Sequence, residues 1–153
     1  MESFIAGYTW IETGNRWKDN QRGGRSGSST DHVLIKMWNE IHEYLDPPSS
    51  SSNRSKAAVM CGIDFSKSFS RCSYQQILKS YKRLNASQWL IAMHGAFLTD
   101  RKMSVKVGNV MSEPKSVTGG AVQGSVLGVI DHNAVLEDID EDIRITSEKY
   151  VET

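Results

Sequence analysis

Two cysteines, three prolines and no surplus of either charge limit what this chain can be. So few cysteines rule out a disulfide-built scaffold, and reduced thiols are the expectation. Cys61 sits in an apolar run and reads as a small buried hydrophobe. Eighteen basic residues balance eighteen acidic ones. That excludes the overall basic excess of a general nucleic-acid binder, so any such site must be local. No run approaches the roughly eighteen apolar residues of a membrane-crossing helix. The start, "MESFIAGYTW", lacks the basic region and long apolar core of a secretory signal. An intracellular protein with no membrane partner is the expectation. There is no phosphate-binding Walker sequence, no dinucleotide fingerprint and no G-x-S-x-G elbow around Ser66, Ser68, Ser70 or Ser73. His32, His42, His94 and His132 show no metal-ligand spacing with the cysteines, and His132 beside Asp131 reads as a helix-surface pair.

What is present fits one domain of 153 residues. Residues 1–19 carry Phe4, Ile5, Tyr8, Trp10, Ile11 and Trp17 without a sustained period, and form either a short helix or a packed lead-in. "NQRGGRSGSS" is a loop. In "TDHVLIKMWNEIHEYL", Leu34, Met37, Trp38, Ile41, Tyr44 and Leu45 recur at helical spacing, with Thr30 as the cap. Pro47 and Pro48 stop that helix and a serine loop follows. "KAAVMCGIDF" alternates as a strand, with Val59, Cys61, Ile63 and Phe65 on one face and Asp64 on the other. "SYQQILKSYKRL" and "SQWLIAMHGAFL" are helices, the second capped by Ser87. "KMSVKVGNVMS" reads as two short strands joined at Gly108-Asn109, and "TGGAVQGSVLG" as a glycine-rich turn entering a helix. The tail ends in a possible short strand. This order implies an α+β fold rather than a regular βαβ array.

Four positions have two readings each. Asp64, near the end of an apolar strand, either caps the next turn or holds a divalent metal. Phe69 is either a core aromatic or a contact under a nucleotide sugar. Gln123, beside Gly124, is either exposed on a turn or offers its amide to a base or backbone. Arg25 is either a solvated loop arginine or a planar donor to an incoming phosphate.

Taken together, three ordered stretches resemble the reverse transcriptase domain of non-LTR retrotransposons. They are "GGRSGSSTDHVL" at Gly23–Leu34, "AVMCGIDFSKSF" at Ala58–Phe69 and "AVQGSVLG" at Ala121–Gly128. The resemblance covers residues 20–153, behind a lead-in of residues 1–19. It implies a partial fingers-palm unit in which the Asp64 strand joins a small sheet with the 104–111 hairpin or the C-terminal segment. Helices at about 73–84 and 126–137 would cover that sheet. It also implies RNA-directed DNA synthesis, with an RNA template, a DNA primer and dNTP as partners and Mg²⁺ as cofactor. Asp64 and Gln123 would then share a cleft floored by Phe69. Arg25, Phe69, Gln123 and Gly124 would touch the nucleotide.

The family's metal site also needs a tyrosine, a variable residue and two aspartates. Tyr150 and Val151 match the start; Glu152 stands at the first aspartate and Thr153 at the second. The resemblance therefore assigns metal binding and catalysis to Asp64 and Glu152, with a site one carboxylate short. Ser70 also stands where the family often has aspartate, and Val129 where it has proline. The expectation is a fragment lacking the downstream palm and thumb and without efficient polymerase activity. The alternative is a polymerase-derived module that binds nucleic acid or protein without catalysis.

Overall fold

The aromatic-rich N-terminus folds as helix α1, Glu2–Thr13, which buries Ile5, Ala6, Thr9 and Thr13. The computed structural model describes residues 1–25, 27–46, 56–142 and 147–150. A single 3₁₀ turn, Gly14–Arg16, then leads to Trp17, whose indole N–H donates to the Thr13 hydroxyl at 2.9 Å. Helix α2 spans Thr30–Leu45. Its cap is Ser29 rather than Thr30. Ser29 is extended, and its N–H donates to Nδ1 of His32 at 3.1 Å, whereas Thr30 is already helical. Pro47, Pro48 and the serines after them lie outside the described residues.

Four helices follow: α3 Ser68–Arg71, α4 Tyr74–Arg83, α5 Gln88–Leu98 and α6 Val126–Leu136. The three longer ones start by the same device. The hydroxyls of Ser73, Ser87 and Ser125 accept the N–H of Gln76, Leu90 and Gly128 at 3.2, 3.2 and 2.9 Å. Each bond satisfies one of the amides that a helix start leaves unpaired.

The strands form one thin ribbon between α5 and α6. β1 (Lys102–Met103) pairs antiparallel with β4 (Lys115–Ser116), and β2 (Lys106–Val107) with β3 (Val110–Met111). Gly108 turns the hairpin at a φ of +59°, at the expected Gly108-Asn109 site. The Ser112 N–H donates to the Val105 carbonyl at 2.9 Å and joins the two rungs. Residues 112–114 face only residues 104–105, so the ribbon bulges at Pro114.

One expectation fails here. Residues 56–65 are neither helix nor paired strand, and Val59, Met60, Cys61, Ile63, Asp64 and Phe65 are all exposed. Alternation favours a strand, but a strand exists only where another strand takes up its backbone hydrogen bonds. The ribbon pairs with itself and leaves no such partner among the described residues. Cys61 is therefore exposed, and Cys72 is the buried cysteine. The stripe Ile77, Leu78, Tyr81 packs against helices instead of a sheet: α1, α4, α5 and α6 close around Ile5, Ile77, Leu90, Leu98, Leu127 and Ile130. The domain is mixed helix and strand with small antiparallel sheets. Among the described residues no helix is long and apolar enough to cross a membrane.

A polar knot sits inside this core, with one residue from each helix. Thr9, Tyr81, His94 and Asp131 are all fully buried. The Tyr81 hydroxyl donates to Asp131 Oδ1 at 2.7 Å, and His94 Nδ1 stands 2.9 Å from the same oxygen. Thr9 donates to the Ile5 carbonyl at 2.8 Å, so its oxygen is left to accept from Nε2 of His94 at 3.0 Å. Burial, with the Asp131 charge beside it, pushes the Tyr81 hydroxyl well above its ordinary pKa and keeps it a donor.

A second polar cluster clasps the C-terminal segment to the loop after α1. Lys149 forms a parallel bridge with Gln21; its N–H donates to the Asn20 carbonyl at 2.8 Å and its carbonyl accepts the Arg22 N–H at 2.9 Å. Beneath the bridge, Asp140 accepts from Ser147 at 2.6 Å, Lys149 at 3.0 Å, Lys18 at 3.1 Å and Asn20. Burial alone would raise the Asp140 pKa, but these four donors outweigh it and hold the carboxyl well below its usual range. Glu148 takes Lys36 of α2 as its partner, with Arg22 3.8 Å away on its other oxygen.

Candidate functional site

A cleft of about 410 Å³ lies where the loop after α1 meets α3 and the start of α6. Trp10, Gly24, Phe69, Gln123, Gly124, Ser125, Val126, Val129 and Ile130 line it. The backbone explains why residues so far apart in sequence meet there. The N–H groups of Gly120 and Ala121 donate to the carbonyls of Cys72 and Phe69 at 2.7 and 2.8 Å. These bonds pin the glycine-rich turn along α3 and set Gln123 near Phe69.

Two glycines let the walls close. Gly24 has a φ of +68°, and a Cβ there would lie 2.6 Å from Val129 Cγ1. A Cβ on Gly128 would run into the Val122 carbonyl, so the last glycine of "QGSVLG" is required where the turn folds back on its own helix. Asn133 ties the far wall: its amide donates to the Gly23 carbonyl at 2.8 Å, and its oxygen accepts from Gln21 at 2.8 Å.

Phe69 stacks on the ring of His132 at 4.2 Å with 8° between the planes. His132 is buried, not on the helix surface, and neither ring nitrogen has a hydrogen-bond partner among the described residues. Burial lowers its pKa and favours the neutral ring. Asp131, its sequence neighbour, points the other way into the polar knot. The cleft is thus mostly apolar, with two aromatic side chains, Trp10 and Phe69, and the exposed side-chain amide of Gln123. Such a surface suits a flat heterocycle whose edge carries hydrogen-bonding groups. Two amides at the start of α6 are already engaged: Gly128 by Ser125, and Leu127 by the Glu2 carboxylate at 3.1 Å.

The structure thus brings Phe69, Gln123 and Gly124 together and leaves Asp64 out of the cleft lining, on the exposed segment. Arg25 is half-buried and donates to the Lys18 and Gln21 carbonyls at 3.1 and 3.2 Å, which braces its own loop. Glu152 and Thr153 lie outside the described residues. Among the described residues no three His, Cys, Asp or Glu side chains are grouped to hold a metal ion. Sequence reasoning missed Trp10 and Gly24 as lining residues and His132 as the support of Phe69. A contact that only glycine tolerates, such as that of Gly24 with α6, leaves no local pattern to find.

The chain is 27% identical over 121 residues to a Drosophila melanogaster protein described as "Probable RNA-directed DNA polymerase from transposon BS". The match takes in 79% of this chain and 12% of that protein's length. This is a remote relationship to a reverse-transcriptase-like transposon protein. No family model matches the chain. No solved structure matches it either.

Proposed function

We propose that residues 20–153 are a reverse-transcriptase-like fingers-palm unit that takes a nucleotide in the cleft but does not extend a primer efficiently. The observation that carries this reading is convergence. Gly24, Phe69 and the Gln123-Gly124 pair come from the three separate stretches that resemble the polymerase family, and they line one cleft. In this reading the base or sugar lies on Phe69, Gln123 offers its amide to the nucleotide, and Gly124 lets the backbone come close. Arg25 braces the loop that carries Gly24 into the cleft wall. Asp64 and Glu152 are the positions assigned to magnesium. An intact metal pair would activate the primer hydroxyl and stabilise the departing pyrophosphate. The Thr153 side chain offers no carboxylate, and no step of this proposal runs through the ion.

The test has two parts. Saturation-transfer NMR with dNTPs on the full chain should show contact that weakens in Phe69→Ala and Gln123→Ala. Primer extension on an RNA template with Mg²⁺ or Mn²⁺ should give little product. Robust extension that disappears in Asp64→Ala would overturn the inactive reading, and absence of nucleotide contact would overturn the cleft. A second reading, a binding module without polymerase chemistry, is favoured by the exposed position of Asp64 outside the cleft. It predicts that Asp64→Ala leaves nucleic-acid or protein binding unchanged.

A further inference from the structure

Two amphipathic elements stand apart from the four-helix core. Helix α2 buries only Val33; Leu34, Ile35, Trp38, Tyr44 and Leu45 are exposed, Trp38 to 66%. The β1–β4 ribbon is as bare, with Met103, Val105, Val107 and Val110 exposed. Among the described residues neither packs on any other element. Alternation along the ribbon sets Met103, Val105, Val107 and Val110 on one face and Lys102 and Lys106 on the other. A two-stranded ribbon is marginal in water unless something covers its apolar face.

The two surfaces are opposites in charge. From Thr30 to its C-cap Asp46, α2 carries Asp31, Glu40, Glu43 and Asp46 against Lys36 alone. Lys36 is itself engaged by Glu148. From Arg101 to Val117 the ribbon carries Arg101, Lys102, Lys106 and Lys115 against Glu113 alone. They also match in length: sixteen helical residues rise about 24 Å, and residues 101–107 reach about 23 Å as strand. Within one chain the two are held apart. α2 is anchored through Lys36 to the C-terminal clasp, whereas the ribbon is rooted beside α4, where the Tyr74 hydroxyl donates to the Val117 carbonyl at 3.0 Å.

We propose that the partner of each surface is a second copy of this chain: the α2 face of one copy docks on the apolar face of the other's ribbon, steered by the opposed charges. Made reciprocally, the contact closes a two-fold pair; made once per copy, it builds rings or open chains. This goes beyond the nucleotide-cleft reading and does not depend on it.

The experiment is sedimentation of the full chain over a concentration series. Association should appear at low salt and weaken about tenfold or more at ionic strengths where the Debye length falls to a few ångströms. Asp31 and Asp46 share the apolar stripe of α2 by helical spacing, and Arg101 and Lys115 share the apolar face of the ribbon with Met103. Asp31→Lys with Asp46→Lys therefore makes both docking faces basic, and Arg101→Glu with Lys115→Glu makes the ribbon face acidic like α2. Each double variant alone should remain monomeric, while a mixture of the two should associate again, because each then presents the other's complement. All four positions lie off the core, and matching far-ultraviolet circular dichroism confirms the folds. A monomer at every concentration, or association that neither reversal weakens, overturns the proposal. So does a ribbon that binds a labelled single-stranded or duplex oligonucleotide through Lys102 and Lys106 while the chain stays monomeric.

Discussion

Replacing Tyr81 with phenylalanine removes one oxygen from the centre of the helical core and keeps the ring. The lost interaction is the 2.7 Å bond from the Tyr81 hydroxyl to Asp131 Oδ1. Because the acceptor is a buried carboxylate, the bond belongs to the charge-assisted class, which contributes about 1.5–3 kcal/mol. His94 Nδ1 lies 2.9 Å from Asp131 without a hydrogen bond to it, so the carboxylate loses its tyrosine donor with no replacement and a cost of at least about 2 kcal/mol is expected. For a domain of this size that lowers Tm by about 4–8 °C. Urea unfolding followed by tryptophan fluorescence should show a lower midpoint with an unchanged slope. The pH dependence gives an independent check. Burial, then the Asp131 charge and bond, raise the Tyr81 pKa above its unfolded value. The folded chain therefore keeps a proton that the unfolded chain gives up, so this stabilisation is complete below about pH 10 and lost as pH rises beyond it. Tyr81→Phe should flatten that alkaline slope. A variant within about 0.5 kcal/mol of the parent, with the same alkaline slope, would refute the claim that the knot is a coupled unit.

Asp140→Asn should abolish part of the acid sensitivity: the Asp140 pKa is lowered in the fold, so its stabilisation is present above about pH 4 and disappears as pH falls below it, as an acid titration of the melting temperature would reveal. Gly24→Ala should cost about 1–3 kcal/mol through its positive φ and its clash with Val129, and should shift cleft resonances in an NMR spectrum. Phe69→Ala uncovers His132, whose burial-lowered pKa should then climb toward the ordinary histidine value in an NMR titration. In the parent chain that buried neutral ring contributes stability above about pH 6.5, lost as pH falls through its folded pKa; Phe69→Ala should weaken this dependence.

Helices α4 and α5 were legible because each carries its apolar residues and its start signal within a dozen residues, whereas α1 was left open and α3 went unseen. Tyr74–Arg83 and Gln88–Leu98 follow Ser73 and Ser87, and the hairpin turns at Gly108 as its glycine-asparagine pair demands. Residues 56–65 failed because alternation reports a preference, while pairing depends on what lies alongside. The cleft was half legible: Phe69, Gln123 and the stretch that holds Gly24 came from the family-like segments, but the contact of Gly24 with Val129 and the place of Trp10 depend on packing alone. The burial of Asp131 and His132 on adjacent positions was hidden for the same reason. One faces α4 and α5 and the other faces Phe69, so α6 is enclosed on both sides and shows no polar stripe.

The bridge between Gln21 and Lys149 also has a meaning in time. Local turns of α4 and α5 can form before distant parts of the chain meet, because they close short loops. The pairing of residues 20–22 with Lys149 joins segments separated by most of the chain, and the Asp140 donors assemble only once that loop has closed. The clasp should therefore be the last part to form and the first to open. In kinetic terms, substitutions at Asp140 or Lys149 should speed unfolding and leave the refolding rate nearly unchanged, whereas those at Tyr81 or Asp131 should slow refolding itself.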